Sequence, residues 1–365
     1  MLIRADAFAD GRAASAVPNV SLLIRDGRVA YLGPRDGEPA TLDPEVIAIA
    51  GTTIIPGFVD CHSHFTGPGG LDYLQRLQDP EPVLLQRAEE NAKALVRSGV
   101  LAARDVGAVN ALNIRIRDSM RGRRDVPIIA AAGTWIGRRG RYVSFAVQVG
   151  SAEELLAAAM AQLDLGADLV KIAVDGATRS AATFTAAELK PAVEAVHARG
   201  KRVAVHAQGF GSRVAAEAGV DTIDHGYTIE PDTAALMRGR TSLVTTLSVP
   251  VAFNNSTELA YGRASVKTAH DAGVRIATGT DFGGGPPRVG NFALELELLV
   301  SAGLEPYEAL GAATWAAGEV IGIPGVGTLA VGSPANVVVV EGSILSDIGA
   351  ARRVKAVFRD GERIV

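Results

Sequence analysis

The chain has 365 residues, of which 48% are hydrophobic, and it carries a formal net charge of −4. This length suits a barrel of roughly 250 residues with an accessory unit. The charge provides no basic field for nucleic acid, and no apolar run approaches the roughly 20 residues that span a bilayer. The first residues lack the apolar core of a signal peptide, and the single cysteine, Cys61, cannot form an intramolecular disulfide. We therefore expect a cytoplasmic protein that binds neither nucleic acid nor a membrane.

Short β-type segments without helical periodicity occupy both ends of the chain. Residues 26–27 and 360–361 are Asp-Gly dipeptides between such segments, which is a typical hairpin signal. Because the two ends share this pattern and differ from the middle, we expect them to pair. We predict one small β-sandwich domain built from residues 1–56 and 326–365.

The middle of the chain, residues 57–325, alternates apolar segments with helical stretches, of which 81–98 and 151–165 are the clearest. Ser151 followed by Glu154 is typical of a helix start. The candidate strands span residues 53–62, 99–106, 126–132, 168–173, 202–206, 221–225, 243–248 and 274–280. Eight β units alternating with helices predict an α/β fold, a (β/α)8 TIM-like barrel. A doubly wound open sheet is the alternative, although no Gly-x-Gly-x-x-Gly follows the first strand.

Two histidines, His62 and His64, close the first strand of the predicted barrel. Residues i and i+2 of a strand point to the same face, so both imidazoles can reach one point, as a metal requires. Asp60 shares this face, and we expect it to orient an imidazole. Cys61 points the opposite way and is expected to pack. Taken alone, the histidine pair is a weak signal and is better explained as two satisfied polar groups at a strand end.

Further chemical groups lie at the ends of later strands, where such barrels place their active sites. His206 and His225 end the fifth and sixth strands, and Asp281 follows the eighth, before a Gly-rich loop. Lys171 lies in the fourth strand, where burial would lower the pKa of its amine and make it nucleophilic enough to add CO2. Each residue also has a structural interpretation: a satisfied core histidine, a turn-capping aspartate, or a lysine paired with Asp175.

The joint pattern of four histidines, one lysine and one aspartate at strand ends resembles the amidohydrolase superfamily. Residues 56–60 (Pro-Gly-Phe-Val-Asp) and 279–281 (Gly-Thr-Asp) match its flanking motifs, and 325–336 looks like its return to the β-sandwich. Residues 103–107 (Ala-Arg-Asp-Val-Gly) and 166–172 (Gly-Ala-Asp-Leu-Val-Lys-Ile) look most like its imidazolonepropionase-like and Xaa-Pro dipeptidase-like group. The resemblance covers nearly the whole chain.

The resemblance implies a binuclear metal centre. The implied ligands are His62, His64, Lys171, His206, His225 and Asp281. The first two histidines and the aspartate would hold one cation, and the last two histidines the other. A CO2-derived carbamate on the lysine would bridge them. Mixed nitrogen and oxygen ligands suit Zn2+, with Mn2+, Co2+ or Fe2+ as alternatives.

The reaction implied by the resemblance is hydrolysis of an amide or related C–N bond. The substrate would be a small molecule: a dipeptide, an N-acyl amino acid or a cyclic amide. A hydroxide between the two cations would be the nucleophile, and Asp281 would be the catalytic acid and base. Barrels of this kind often form homo-oligomers.

Substrate contacts are expected from the loops that follow the strands. The third loop carries Trp135, Arg138, Arg141 and Tyr142, which could clamp a carboxylate and an apolar group. A solvated surface loop explains the same residues. Tyr227, two residues after a predicted ligand, could donate to a carbonyl or carboxylate oxygen.

Two other functions remain open. A mononuclear deaminase or an imidazolonepropionase-like ring hydrolase would not use a bridging lysine, so Lys171 favours the binuclear enzyme. A non-catalytic binding protein on the same fold would be expected to lack ligands, and all six are present here.

Overall fold

The structure is a computed structural model that describes residues 1–40 and 45–365. The N-terminal strands are β1 (Leu2–Phe8), β2 (Val17–Arg25), β3 (Arg28–Pro34), β4 (Val46–Ala48) and β5 (Thr52–Pro56). The central strands are β6 (Phe58–Ser63), β7 (Val100–Asp105), β8 (Ile128–Ala131), β9 (Ile136–Arg138), β10 (Val147–Val149), β11 (Leu169–Ala173), β12 (Arg202–Ala207), β13 (Thr222–His225), β14 (Ser242–Thr245) and β15 (Ile276–Thr278). The C-terminal strands are β16 (Val337–Glu341), β17 (Val354–Arg359) and β18 (Glu362–Arg363).

Helices connect most of the central strands. They are α1 (Tyr73–Arg76), α2 (Glu81–Arg97), α3 (Leu112–Met120), α4 (Ala152–Asp164), α5 (Ala186–Ala198), α6 (Phe210–Ala218), α7 (Pro231–Met237), α8 (Ser248–Ala252), α9 (Ser256–Asp271), α10 (Phe292–Ser301), α11 (Pro306–Ala312) and α12 (Trp315–Ile321). Within residues 1–40 and 45–365, none of these helices has both the length and the apolarity needed to cross a bilayer.

Strands from both ends of the chain form one sheet, in the order β18-β17-β16-β5-β1-β2-β3, with β4 paired to β1. The two ends meet where β16 pairs antiparallel with β5. The β2–β3 and β17–β18 connections are tight turns whose Asp and Gly residues all have positive φ, as the Asp-Gly signal predicts. Apolar side chains of this sheet form a core cluster of their own, which includes Ile3, Leu22, Ile54, Val337 and Phe358.

The central strands are parallel and form two sheets, β6-β7-β8 and β10-β9-β11-β12-β13-β14-β15. The amide of Asp168, just before β11, donates to the carbonyl of Ala131 in β8 (2.8 Å). On the other side, the amide of Asp281, just after β15, donates to the carbonyl of His62 in β6 (2.8 Å). Hydrogen bonds therefore connect the two sheets at both edges. Parallel strands with intervening helices identify a TIM-barrel-type α/β fold.

The predicted strand over residues 53–62 is two strands in the structure. The chain leaves the terminal sheet after β5 and enters the central sheet at β6, with Gly57 between them. A Cβ at Gly57 would lie 2.6 Å from Leu101 Cδ1, so the crossing point has room only for glycine. An uninterrupted apolar run does not reveal this change of sheet, because both strands are buried.

Helix starts follow the local sequence. Ser151 Oγ accepts from the amide of Glu154 at the start of α4, and Thr185 and Glu188 form a reciprocal capping box at the start of α5. The predicted helix over residues 81–98 corresponds to α2. Short strands β9 and β10, which lie in the third loop, were not expected from the sequence.

Candidate metal centre

Buried polar side chains meet at the C-terminal ends of the central strands. His62 and His64 extend from β6, and each Nε2 lies 3.4 Å from Oδ1 of Asp281. His225 ends β13, and its ring centroid lies 4.7 Å from that of His62. His62, His225 and Asp281 each offer one ligand atom, and these three atoms lie within 4.8 Å of one another. All three residues are buried. This spacing and donor chemistry fit a divalent cation such as Zn2+.

His206, at the end of β12, borders the same cluster. Its ring centroid lies 4.4 Å from that of His225. Its Nε2 lies 3.1 Å from Oδ2 of Asp175, and its side chain is 22% exposed, so it is more accessible than His62 or His64. The four strand-end histidines and Asp281 therefore line one cavity, together with Lys171.

Three of the histidines are held by a hydrogen bond on Nδ1. His64 Nδ1 lies 2.8 Å from the carbonyl oxygen of Gly107, which can only accept, so Nδ1 carries the proton. His62 Nδ1 donates to the carboxylate of Asp224 (3.0 Å), and His225 Nδ1 bonds Thr246 Oγ1 (2.8 Å). Such contacts fix the ring orientation and leave Nε2 for a ligand. Burial lowers the pKa of His62 and of His225, which favours the neutral form that binds metal.

Lys171 lies below these histidines and is 2% exposed. Its ammonium forms an ion pair with Oδ2 of Asp224. Arg104, from β7, donates from Nη2 to the other carboxylate oxygen of Asp224 (2.9 Å). Burial lowers the pKa of the Lys171 ammonium, and Asp224 acts in the opposite direction. The pairing with Asp175 considered from the sequence is therefore not the one observed.

Asp224 and Arg104 were not expected from the sequence as parts of the site. Both are charged residues within apolar strand segments, and Asp224 directly precedes His225. The signal in the sequence that could have identified them was a charged residue within an otherwise apolar strand segment. The structure shows that the carboxylate which orients the His62 imidazole belongs to Asp224.

Asp60 was expected to orient an imidazole, but its carboxylate binds backbone amides and a hydroxyl instead. Its carboxylate accepts from the backbone amides of His62 and Thr280 (both 3.1 Å) and from the hydroxyl of Thr280 (2.6 Å). Burial raises the pKa of Asp60 to about 7. Asp60 therefore ties the backbone of β6 to the end of β15, where Asp281 follows. Cys61 faces away, and its thiol contacts the carbonyl of Ala317 in α12 (3.4 Å).

Backbone geometry at two of the candidate ligands is strained. His225 has φ of 71° and Asp281 has φ of 52°, in the region that favours glycine. Such outliers cost free energy and concentrate at functional sites. The glycines after Asp281 have a steric reason, because a Cβ at Gly284 would lie 2.5 Å from Asp281 Oδ1. The Gly-rich loop thus leaves room for the carboxylate and the adjacent His64 ring.

The cavity above these groups has a volume of about 260 Å3 and is largely aromatic and aliphatic. Trp135 stacks on the ring of His64, with centroids 5.3 Å apart, and Tyr142 lies 5.5 Å from the ring of His206. Tyr227 also lines the cavity, but its hydroxyl donates to the carbonyl of Thr246 (2.8 Å). Further apolar lining comes from Leu74, Leu77, Val143, Phe145, Val249 and Phe253.

The arginines predicted to clamp a substrate carboxylate do not line this cavity. Arg138 donates to the carbonyl of Thr183 (2.8 Å), pairs with Glu188 and lies over the ring of Phe184. Arg138 and Arg141 instead line a separate surface pocket. The structure therefore places Arg138 and Arg141 outside the lining of the cavity over the candidate metal ligands, and their contact with substrate stays a prediction.

The chain is similar to several known proteins. A family model described as "Amidohydrolase family" matches residues 53–364. An uncharacterized protein of Mycobacterium tuberculosis is 31% identical over 330 residues, 84% of this chain and 82% of that protein. An imidazolonepropionase of Deinococcus deserti is 27% identical over 395 residues, 97% of this chain and 94% of that protein. A solved Xaa-Pro dipeptidase with methionine bound in its active site has a TM-score of 0.86 and 26% identity, covering 99% of this chain and 98% of that chain.

The contacts of Asp224 generate a stability prediction. In the metal-free protein with unmodified Lys171, Asp224→Asn removes the charge that faces Lys171 and Arg104 and leaves two buried cations without a carboxylate. We expect the free energy of unfolding to fall by about 3–5 kcal/mol, measured by urea denaturation.

The matched control is Asp118→Asn, which removes an exposed carboxylate that also pairs with two arginines. Its effect should stay within about 1 kcal/mol, as for exposed ion pairs. Equal stability of the two variants would contradict the role assigned to Asp224.

Proposed function

This chain belongs to the amidohydrolase family, and from that premise we propose that it hydrolyses amide or related C–N bonds of uncharged, apolar small molecules at two divalent cations. Hydrolysis of carbon–nitrogen bonds is the family's general activity, and it agrees with the imidazolonepropionase and Xaa-Pro dipeptidase relatives. The observation that carries the proposal is the convergence of buried nitrogen and oxygen donors from separate strands on one point.

In this proposal, His62, His64 and Asp281 hold one cation, and His206 and His225 hold the other. Lys171, which lines the same cavity, would lie between them. Zn2+ suits this set of imidazole and carboxylate ligands. When bound, the cations supply positive charge that lowers the pKa of a water molecule and polarises the scissile carbonyl.

We further propose that Lys171 carries a carbamate in the active enzyme. Burial lowers its pKa, so the neutral amine that can attack CO2 is accessible. The ammonium first loses one proton to solvent. The Nζ–carbon bond then forms as one C=O π bond of CO2 opens, and the nitrogen loses a second proton, so that a buried cation becomes a bidentate anion. Asp224 then loses one partner and keeps Arg104 and His62.

Asp281 is the residue we assign to proton transfer. Its carboxylate faces the cavity next to two histidines, so it can accept a proton from water and deliver it to the leaving nitrogen. His64 and the Gly-rich loop hold this carboxylate in place. Stacking of Trp135 on His64 and the surrounding apolar side chains exclude bulk water from the same point.

The substrate class follows from the cavity wall. Among the described residues that line the cavity, the basic groups are the candidate metal ligands, and none is an arginine. A substrate carboxylate in this wall would meet no arginine. The neutral hydrogen-bond donors of the wall include Tyr73, Tyr142 and Gln208, which do not neutralise a buried charge. Aromatic and aliphatic groups suit the same wall. We therefore favour neutral amides with an apolar substituent over free dipeptides and N-acyl amino acids.

One alternative has an observation in its favour. The Lys171 ammonium is already balanced by Asp224, and His62, His225 and Asp281 alone could hold a single cation. With this arrangement the chain would be a mononuclear deaminase or a ring hydrolase similar to its imidazolonepropionase relatives.

The finer fold assignment is also a proposal. We propose that the two parallel sheets close into one eight-stranded barrel over residues 57–325. The composite sheet of residues 1–56 and 326–365 would then be the accessory β-sandwich. The hydrogen bonds at both edges of the parallel sheets support this closure.

The binuclear centre can be tested with Lys171→Ala. Loss of the bridging group should lower the metal content from about two ions per chain to about one or fewer, as measured by mass spectrometry of the purified protein. Lys267→Ala, which removes an exposed lysine paired with Asp271, should keep the native content. One metal ion per native chain, with metal content and activity both unchanged in Lys171→Ala, would favour the mononuclear enzyme.

Asp281→Asn tests proton transfer. The amide keeps an oxygen that can bind metal but cannot accept a proton, so we expect most of the metal to remain and kcat to fall by at least about 100-fold. Asp271→Asn, an exposed substitution of the same kind, should leave kcat unchanged. A near-native kcat in Asp281→Asn would remove this residue from the proton-transfer step.

A matched pair of substrates tests the substrate class. N-acetylphenethylamine and N-acetylphenylalanine differ only by the carboxylate. We expect kcat/KM to be at least about tenfold higher for the neutral compound, which corresponds to about 1.4 kcal/mol. A preference for N-acetylphenylalanine would show that a basic group outside the described cavity wall reaches the substrate.

A further inference from the structure

A second cavity, of about 450 Å3, lies at the N-terminal ends of the central strands, opposite the end that carries the candidate metal ligands. Its wall includes Ile128 at the start of β8, Asp168 just before β11 and Arg202 at the start of β12. Arg359, at the end of β17, reaches it from the terminal sheet. It shares no lining residue with the cavity over the candidate metal ligands. None of the functions discussed above uses it.

The wall of this cavity is strongly basic, although the whole chain has a net charge of −4. Its charged residues are Arg117, Arg121, Lys201, Arg202, Arg359 and Asp168. Three of the five cations pair with carboxylates. Arg117 pairs with Asp168 (2.6 Å), Arg121 pairs with Asp118 (2.9 Å), and Arg359 pairs through Nη1 with Asp360 (2.8 Å). Lys201, Arg202 and the remaining nitrogens of Arg359 are the groups that an anion could meet.

Lys201 and Arg202 have no carboxylate within ion-pair distance among the described residues. Arg202 donates from Nη1 to the carbonyl oxygens of Glu319 (2.5 Å) and Val320 (2.6 Å) at the end of α12. These carbonyls hold the guanidinium in place without cancelling its charge. The positive charge therefore stays directed at the cavity.

Arg359 is the most informative residue of the three. It is 5% exposed, and its Nε has no hydrogen-bond partner among residues 1–40 and 45–365. Nη1 donates to Asp360 (2.8 Å). Burial lowers the pKa of Arg359, and nearby Arg124 acts in the same direction. A buried guanidinium donor without an acceptor is costly and calls for an explanation such as an unseen ion or ligand.

The rest of the wall is apolar. Ile128, Ile321, Ile323, Met120 and Pro127 lie around the same space. A bare inorganic anion would occupy only part of about 450 Å3 and would leave these side chains without contact. A ligand that combines an oxyanion with an apolar body would match both parts of the wall.

We propose that this cavity binds a small organic oxyanion, whose phosphate or carboxylate meets Lys201, Arg202 and Arg359 and whose apolar body contacts Ile128, Ile321 and Ile323. The site is separate from the metal centre. β12 runs from Arg202 at this cavity to the end that carries His206, so each cavity lies at one end of the same strand.

Isothermal titration of the metal-loaded protein with phenyl phosphate, phenylacetate and inorganic phosphate tests this proposal. We expect one site per chain for at least one of the two organic anions, with affinity at least about tenfold above that of inorganic phosphate. Tighter binding of phenyl phosphate would assign a phosphate ligand, and tighter binding of phenylacetate a carboxylate ligand. Equal affinity for inorganic phosphate, or no binding by either organic anion, would overturn the proposal.

Variants assign the binding to this cavity. Arg359→Met keeps the apolar stem and should lower the affinity at least about tenfold. If Arg359→Met fails to fold, Lys201→Met, at a partly exposed position, serves as the second variant. It should also lower the affinity at least about tenfold. Arg115→Gln removes an exposed arginine of α3 that pairs with Glu81 outside the cavity and should bind as the native chain does. Native affinity in both methionine variants would contradict this location, because the anion would then bind elsewhere, for example at the metal ions.

Discussion

One buried carboxylate, that of Asp224, organises the charged groups beneath the candidate metal centre. Its two oxygens contact the ammonium of Lys171, the guanidinium of Arg104 and the imidazole of His62. Buried charges are tolerated only when partners and hydrogen bonds compensate for lost solvation. Because these three partners come from three different strands, β6, β7 and β11, their positions are coupled through Asp224. Any change in the charge of Lys171 must therefore be compensated within this group, which links its chemistry to the orientation of His62.

Hydrogen bonds to the backbone also position the candidate metal ligands. Asp60 accepts hydrogen bonds from the amide of His62 and from the amide and hydroxyl of Thr280, which precedes Asp281, so β6 and the end of β15 are held together. His225 and Asp281 adopt a backbone conformation that most residues avoid. Strain of this kind persists only where the surroundings enforce it. The result is a rigid cluster at one end of the strands, with loops above it that can vary in sequence and determine the substrate.

The sequence predicted the parts of the site that follow from strand geometry. The spacing of His62 and His64, and the positions of His206, His225 and Asp281 after apolar segments, suffice to place these residues at one end of parallel strands. Asp224 and Arg104 were not predicted as parts of the site, because a charged residue in a strand is usually a solvated surface residue. Only tertiary structure shows that their partners lie on other strands.

Loop residues were predicted less well, for the same physical reason. The direction of the third loop depends on β9 and β10, which pair with each other and, through β9, with β11, and no local pattern reveals this. Arg138 was therefore expected at the substrate and instead pairs with Glu188. The division of residues 53–62 into β5 and β6 was hidden because both sheets bury their strands. Local propensity specified the helices well, since capping at Thr185 is decided by neighbouring residues.

Anomalous diffraction at the zinc absorption edge, on crystals of the zinc-loaded protein, tests the binuclear centre most directly. We expect two peaks, one about 2.0–2.2 Å from His62, His64 and Asp281 and one equally close to His206 and His225, with extended density on Lys171 between them. A single peak beside an unmodified Lys171 that still contacts Asp224 would contradict the binuclear centre.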